Sequence, residues 1–223
     1  MIVVIGSPIG WLHDEAVVPG GTPARAALAA AAAGRQVQLV GRTGDDPTAD
    51  ALLLSLARGG VGHVALLRDP ARQTPLIQEP VAEDAAPVLV EDEVAPQAPG
   101  PLPLPSFPLP PLDAGDVDLG LRYLTNYAVV VLAEPAGSDV VRVVADAATW
   151  NGAQLVVVVD PGTELSDGLP ADAIVFEAPG DDPDGDFAAL VGRFAAALDD
   201  GTDAADAFRA SIAAEGWTEA VAD

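Results

Sequence analysis

Short runs of β-branched residues alternate with longer Ala- and Leu-rich segments along most of the chain. A short apolar run between turn residues predicts a buried strand, and a longer run with helical periodicity predicts a helix. Their alternation predicts βα units that build a largely parallel sheet with helices on both faces. The expected strands are 2–6, 36–41, 62–68, 128–134, 153–160 and 172–178, and the expected helices are 22–34, 46–60, 113–127, 138–152, 185–201 and 203–217.

Two of the expected helices carry clear start signals. Thr22 precedes Pro23 and Asp46 precedes Pro47. Each polar residue is therefore expected to be an N-cap, because its side chain can accept from a free backbone N–H, with proline at the first helical position.

The alternation breaks between 79 and 112, a stretch that begins acidic and becomes dense in proline. Proline lacks the backbone N–H that a helix interior or a central strand needs, so 95–112 is expected to be an extended linker. The apolar stretches within 70–94 are expected to be lid strands. The whole chain, 1–223, is expected to form a single domain.

Charge excludes several classes of partner. The chain has 34 acidic and 10 basic residues, all of the latter arginine, and a formal net charge of −24. A field of this sign repels phosphate backbones and anionic lipid surfaces, so we expect neither a nucleic-acid nor a membrane partner. An anionic cofactor such as ATP would need a local reversal of charge.

The residue inventory also narrows the chemistry. There is no cysteine and there are only two histidines, which argues against thiol chemistry and multi-histidine metal sites, so no metal site is expected. The chain starts without a basic, apolar leader pattern, and a cytoplasmic location is expected. Trp150 and Trp217 lie near helix ends and are expected to be packing residues.

Three stretches resemble signatures of the PfkB family of carbohydrate kinases, which have the ribokinase-like fold. GGTPARAALAAAAAGRQVQLVGRTGDDPTADALLLSLARGGV, at 20–61, is similar to the N-terminal signature. GAQLVVVVDPG is similar to a family strand that ends in Asp-Pro, and DPDGD followed by two helices is similar to the C-terminal Gly-Ala-Gly-Asp signature. The resemblance implies a three-layer α/β/α sandwich with a mostly parallel central sheet, with or without a small β lid.

The C-terminal resemblance implies catalytic roles for two residues. Gly-Ala-Gly-Asp corresponds to Pro183, Asp184, Gly185 and Asp186. By resemblance, Asp186 is the base that deprotonates a sugar hydroxyl, and Gly185 belongs to an anion hole at a helix N-terminus. However, Pro183 has no N–H to offer, and Asp184 places a negative charge where phosphate would lie. An acidic turn that only caps a helix is the simpler interpretation.

The part of the chain that corresponds to the sugar site has also changed. The Asn-x-Asp that follows the family's first strand is absent, and Trp11 stands in its place, with Asp14 as a nearby substitute. The Gly-Gly pair is kept as Gly20 and Gly21. Arg25 replaces an asparagine and could bind an anionic ligand, or could be an ordinary surface arginine. These five residues are the candidate substrate-binding set.

Three hypotheses remain open. Only 21 residues, PGTELSDGLPADAIVFEAPGD, separate Asp160 from the DPDGD turn, which leaves room for one strand and not for a nucleotide-binding set. The leading hypothesis is therefore a shortened, degenerate kinase homologue that has weak or no ATP-dependent sugar phosphorylation and binds a small molecule or a protein. The alternatives are an active sugar or nucleoside kinase that uses Asp186, ATP and Mg²⁺, and an assembly module that forms a homodimer through its lid.

Overall fold

A six-stranded sheet whose strands are all parallel forms the middle layer of the protein. The computed structural model describes residues 1–14, 16–78, 112–163 and 168–214. The strands, in the order in which they lie in the sheet, are β5 (Val61–Asp69), β4 (Val37–Gly44), β1 (Ile2–Ile5), β7 (Val129–Leu132), β8 (Gln154–Val159) and β9 (Ile174–Glu177).

Helices cover both faces of this sheet. One face packs against α1 (Gly21–Ala32), α2 (Pro47–Arg58), α5 (Asp186–Asp199) and α6 (Ala204–Ala214), and the other against α3 (Ala114–Tyr123) and α4 (Ser138–Asn151). Because both faces are covered, the central strands are apolar at successive positions: Val4 points into one core and Val3 into the other. None of the described helices has the length and apolar character needed to cross a bilayer.

Some helix boundaries differ from the expected ones. Thr22 as N-cap is wrong: the cap is Gly20, and α1 has no side-chain cap. The reason is that the preceding strand continues to Gly20, and Gly21, with a φ of +77°, turns the chain directly into the helix. By contrast, Asp46 as N-cap and Pro47 at the first helical position are confirmed.

Two further expectations, for the end of α3 and for Trp150 in α4, are wrong. Helix α3 ends at Tyr123, four residues before the expected end at 127, because Leu124 is extended and Asn126 has a φ of +60°. Trp150, near the end of α4, is 90% exposed, so the expectation that it packs in the interior is wrong. Trp217 lies outside the described residues.

A second, three-stranded sheet lies beside the central one. It consists of β2 (Ile9–His13), β3 (Ala16–Gly20) and β6 (Leu76–Gln78), in the order β3-β2-β6. The first two form an antiparallel hairpin, and β6 pairs in parallel with β2. Of the lid strands expected within 70–94, the described residues contain only β6. The rest of that range and the proline-rich stretch to 111 lie outside the described residues.

The two faces of the small sheet have different neighbours. Gly10 pairs with Pro19 and Leu76, and a Cβ built on Gly10 would lie 2.9 Å from Thr48 Cγ2 of α2. That face therefore packs on α2. Side chains alternate along a strand, so Trp11 belongs to the opposite face.

Asp46 connects the two sheets. Its Oδ1 accepts from the backbone N–H of Ala49 at 2.8 Å, and its Oδ2 accepts from the N–H of Thr74 at 2.6 Å. The Thr74 hydroxyl then bonds to the N–H of Gly44, at the end of β4, at 3.0 Å. One carboxylate thus holds the start of α2 and the chain that enters β6.

Replacing Asp46 with Ala should lower the free energy of unfolding by about 2 kcal/mol, because two backbone N–H groups lose their acceptor. Burial alone would raise the pKa of Asp46, but the backbone hydrogen bonds outweigh it and hold the pKa below its ordinary value. The loss should therefore be full at neutral pH and shrink as acid protonates the group. Urea denaturation measures both. The exposed neighbour Asp45→Ala is the control, and an equal effect of the two variants would contradict this account.

Candidate functional site

The crevice at the carboxyl ends of β1 and β7 is where a ligand of this fold class is expected. From β1 the chain moves to β4 and β5 on one side, and later returns to β7, β8 and β9 on the other side. In open parallel sheets, connections that diverge in this way leave a gap between two neighbouring strands, and ligands bind there.

Two residues meet in this crevice. Ser7 follows β1 and Glu134 follows β7, and the Ser7 backbone N–H donates to Glu134 Oε2 at 2.7 Å. Burial raises the pKa of Glu134 to about 7, although the hydrogen bond from Ser7 acts in the opposite direction. The sequence analysis missed Glu134. A carboxylate placed directly after the buried run VVVLA was the signal that could have found it.

The first turn of α1 lies against the same crevice. A Cβ built on Gly6 would lie 2.4 Å from Pro23 Cγ and 3.2 Å from Glu134 Oε2. The end of β1, the carboxyl group and the helix start are therefore in close contact. Gly20 and Gly21 form the turn into this helix, so two of the five predicted substrate-binding residues shape its entrance.

Arg25 joins three parts of the site. Its guanidinium carbon lies 5.2 Å from the centre of the Trp11 ring, which is cation–π distance. Its Nη1 donates to the carbonyl oxygens of Asp182, at 3.2 Å, and Pro183, at 2.9 Å. A Cβ on Gly185 would lie 2.6 Å from that same Nη1. Trp11 and Arg25 are thus brought together beside the start of α5.

Asp14 is placed differently from the other four candidates. It sits at the tip of the β2–β3 hairpin with a φ of +46°, its side chain is 93% exposed, and it lies 3.5 Å from His13 Nε2. It lies three positions after Trp11, which corresponds to about 10 Å along an extended strand. A role for Asp14 in binding stays a prediction.

The N-terminus of α5 already has an acceptor. The Asp182 carboxylate accepts from the N–H of Phe187 at 3.1 Å and from that of Ala188 at 3.0 Å. The N–H of Gly185 donates to the Asp182 carbonyl at 3.2 Å. Gly185 has a φ of +80° at the N-cap, and Asp186 is the exposed first residue of the helix. The N–H groups of Gly185, Phe187 and Ala188 are therefore engaged within the chain.

The surroundings of this helix start are acidic. A cavity of about 210 Å³ is lined by Pro179, Asp181, Asp182, Pro183, Asp184, Asp186 and Phe187. Within the described ranges, no group of three or more His, Cys, Asp or Glu side chains is arranged to hold a metal ion. The four aspartates therefore oppose the entry of an oxyanion.

One strand separates β8 from α5 in the described part of 160–185. This strand is β9, at the edge of the sheet, and Glu177 at its end accepts from the N–H of Gly162 at 3.0 Å. The expectation of a single strand in this interval agrees with the described residues. Glu177 acts there as an acceptor that fixes the loop after β8.

No protein-family model and no curated protein matches the chain. Solved structures of sugar kinases do match. A protein assigned as ribokinase II from E. coli, in complex with ATP and Mg²⁺, matches with a TM-score of 0.62 and 13% identity, covering 94% of this chain and 89% of that chain. Arabidopsis thaliana ribokinase complexed with ribose and ATP matches with a TM-score of 0.61 and 15% identity, with the same two coverages.

Other matches span less of the relative. An uncharacterized sugar kinase from Pyrococcus horikoshii has a TM-score of 0.45 and 17% identity, and the match covers 73% of this chain but 53% of that chain. The chain thus spans about half the length of that relative. At the identities of the two full-length matches, the likeness establishes the fold. The chain has the ribokinase-like α/β/α sandwich that the sequence predicts, together with a small three-stranded sheet.

Replacing Asp182 with Ala should lower the free energy of unfolding by about 1–2 kcal/mol, because two N–H groups in the first turn of α5 lose their acceptor. Urea denaturation measures the change. Asp181→Ala removes an exposed carboxylate from the same loop and serves as the matched control. If both variants lose the same stability, Asp182 does not have the capping role described here.

The buried carboxyl group of Glu134 should make stability depend on pH. Its pKa is raised on folding, so its contribution is fully present below pH 4.5 and is lost as the pH rises to about 7. The shift corresponds to at most about 3 kcal/mol. Relative to Glu134→Gln, the wild-type protein should therefore lose stability between pH 4.5 and pH 8. Parallel pH-dependent denaturation curves would contradict this prediction.

Proposed function

We propose that this protein binds a small polyhydroxylated molecule in the crevice between β1 and β7 and does not transfer phosphate to it. The observation that carries the proposal is the engagement of the α5 N-terminus by Asp182. The N–H groups of Phe187 and Ala188 point to a carboxylate of the chain itself, so they are not open to a phosphate.

Phosphoryl transfer places heavy demands on such a helix start. The transferred group carries several negative oxygens, and catalysis depends on donors and cations that are already in place around it. Here the loop before α5 contributes aspartates in place of cations, and Pro183 has no N–H. By resemblance Asp186 would be the base, but a base alone does not stabilise a transferring phosphoryl group.

The other end of the crevice remains suited to a neutral polyol. A carboxyl group whose pKa is about 7 is protonated in about half of the molecules at neutral pH, so Glu134 can either donate to or accept from a hydroxyl group. The first turn of α1 carries no acidic residue, so no carboxylate of that turn competes with a ligand for its N–H groups. The matched Arabidopsis ribokinase is complexed with ribose, which makes sugars and alditols the first compounds to test.

The proposal predicts binding without turnover. Isothermal titration with Mg·ATP should give no heat beyond dilution, and a coupled ADP-release assay should give no signal with any pentose, hexose or nucleoside. A thermal-shift screen of the same compounds should show stabilisation by at least one sugar or alditol. Glu134→Ala should weaken that stabilisation by about tenfold in affinity, since a hydrogen bond to the ligand is lost.

Two outcomes would favour the alternatives. ADP release that disappears in Asp186→Asn and persists in the neighbouring control Asp184→Asn would establish an active kinase in which Asp186 is the base. No stabilisation by any sugar, together with a concentration-dependent dimer in analytical ultracentrifugation, would favour the assembly role for the small sheet.

A further inference from the structure

Resting on the proposed function, we further propose that the molecule in the crevice carries a carboxylate and that Arg25 binds it through two parallel hydrogen bonds. The ligand class is therefore a polyhydroxylated monocarboxylic acid. The hydroxyl groups would lie towards Glu134, and the carboxylate would lie towards the small sheet.

The hydrogen bonds of Arg25 leave one edge of its guanidinium open. A guanidinium has five N–H donors, two of them on Nη1. Both hydrogen bonds of Arg25 come from Nη1, to the carbonyl oxygens of Asp182 and Pro183. Among the described residues, no acceptor bonds to Nε or Nη2. The Nε–Nη2 edge is the pair of parallel donors that fits a carboxylate.

The charge of Arg25 is also not neutralised within the described part of the chain. Three other arginines, Arg35, Arg42 and Arg68, each contact two aspartates within ion-pair distance. Arg25 contacts two neutral carbonyls and the Trp11 ring, and no described carboxylate lies within 4.0 Å of it. Among the described residues, Arg25 is thus a partly buried arginine with no carboxylate partner, and its charge is available to an anion from outside.

The guanidinium is held in place before any ligand arrives. Nη1 is fixed by two carbonyl oxygens, and the Trp11 ring lies near one face of the group. A group with its rotamer already fixed loses little conformational entropy when it binds. Arg25 can therefore act as a rigid receptor and not as a mobile surface side chain.

The surrounding charge favours a carboxylate over a phosphate ester. One guanidinium balances one negative charge, and a carboxylate brings one. A phosphate ester brings between one and two at neutral pH, and the excess would face the aspartates of the loop before α5. A neutral polyol could accept hydrogen bonds at the open edge of Arg25 but would bring no charge to balance it.

Matched pairs of compounds test this proposal. The probes are D-ribonate with ribitol, D-gluconate with sorbitol, and D-galactonate with galactitol, measured by thermal shift and titration calorimetry on the full chain. In at least one pair the acid should bind about tenfold or more tightly than its alditol, and added salt should reduce that difference. Ribose 5-phosphate tests a phosphate ester in place of the carboxylate, and it should bind more weakly than the best acid.

Variants then assign the preference to Arg25. Arg25→Gln should reduce affinity for the acid to that for the alditol. Arg25→Lys keeps the charge but not the paired donors, and should lose most of the preference. Arg122→Gln, at an exposed arginine of α3 paired with Asp118, removes the same charge elsewhere and should change nothing.

Each remaining outcome counts against the proposal. Equal binding of acids and alditols, an acid preference that survives Arg25→Gln, or tighter binding of ribose 5-phosphate would overturn the carboxylate assignment and leave the proposed function standing. If no acid and no neutral polyol binds, the proposed function fails, and the carboxylate assignment fails with it.

Discussion

The rest of the structure depends on the central position of β1. In the central sheet, β4 and β5 lie on one side of it, and the later strands β7, β8 and β9 lie on the other side. All four residues of β1 are buried, and it pairs in parallel with β4 and β7, so that Ile5 lies beside both Val40 and Leu132. Its carboxyl end leads through Ser7 into the small sheet and then into α1. The candidate site is therefore built by the residues that leave this one strand, together with Glu134 from its neighbour.

At the start of α5, a carboxylate of the chain itself occupies two of the N–H groups that could otherwise bind an anion. The first N–H groups of a helix lack intrahelical partners and carry a partial positive charge, so they bind whichever acceptor is nearest. Asp182 is attached to the same chain and is always present, whereas a free phosphate must compete with it and with the repulsion from the aspartates nearby. The capped N–H groups of α5 therefore have an acceptor without any bound nucleotide.

Features with local causes could be predicted from the sequence. The central strands follow from apolar runs that are covered on both faces, and Asp46 was recognisable as an N-cap because it stands directly before Pro47. Thr22 has the same local pattern but is not a cap, since pairing of Gly20 with Ile9 holds the chain in a strand up to the helix. The β2–β3 hairpin escaped prediction because glycine and proline interrupt its alternating pattern.

The site was harder to predict because its contacts join residues that are far apart in the sequence. Ser7 and Glu134 meet across 127 positions, and Arg25 reaches Pro183 across 158. Only the order of strands in the sheet brings these pairs together. The sequence identified Trp11, Arg25 and Gly185 as separate candidates through their resemblance to known signatures. It gave no indication that they would form one contact group.

Charge gives the most direct physical account of how Arg25 differs from Arg42. Arg42 ties β4 to β5 and α3 through Asp69 and Asp116, and so neutralises itself while holding three elements together. Arg25 also holds elements together, but it does so with carbonyl oxygens, which position the guanidinium without cancelling its charge. Among the described residues the charge of Arg25 is therefore left without a carboxylate, and the proposed carboxylate binding rests on this observation.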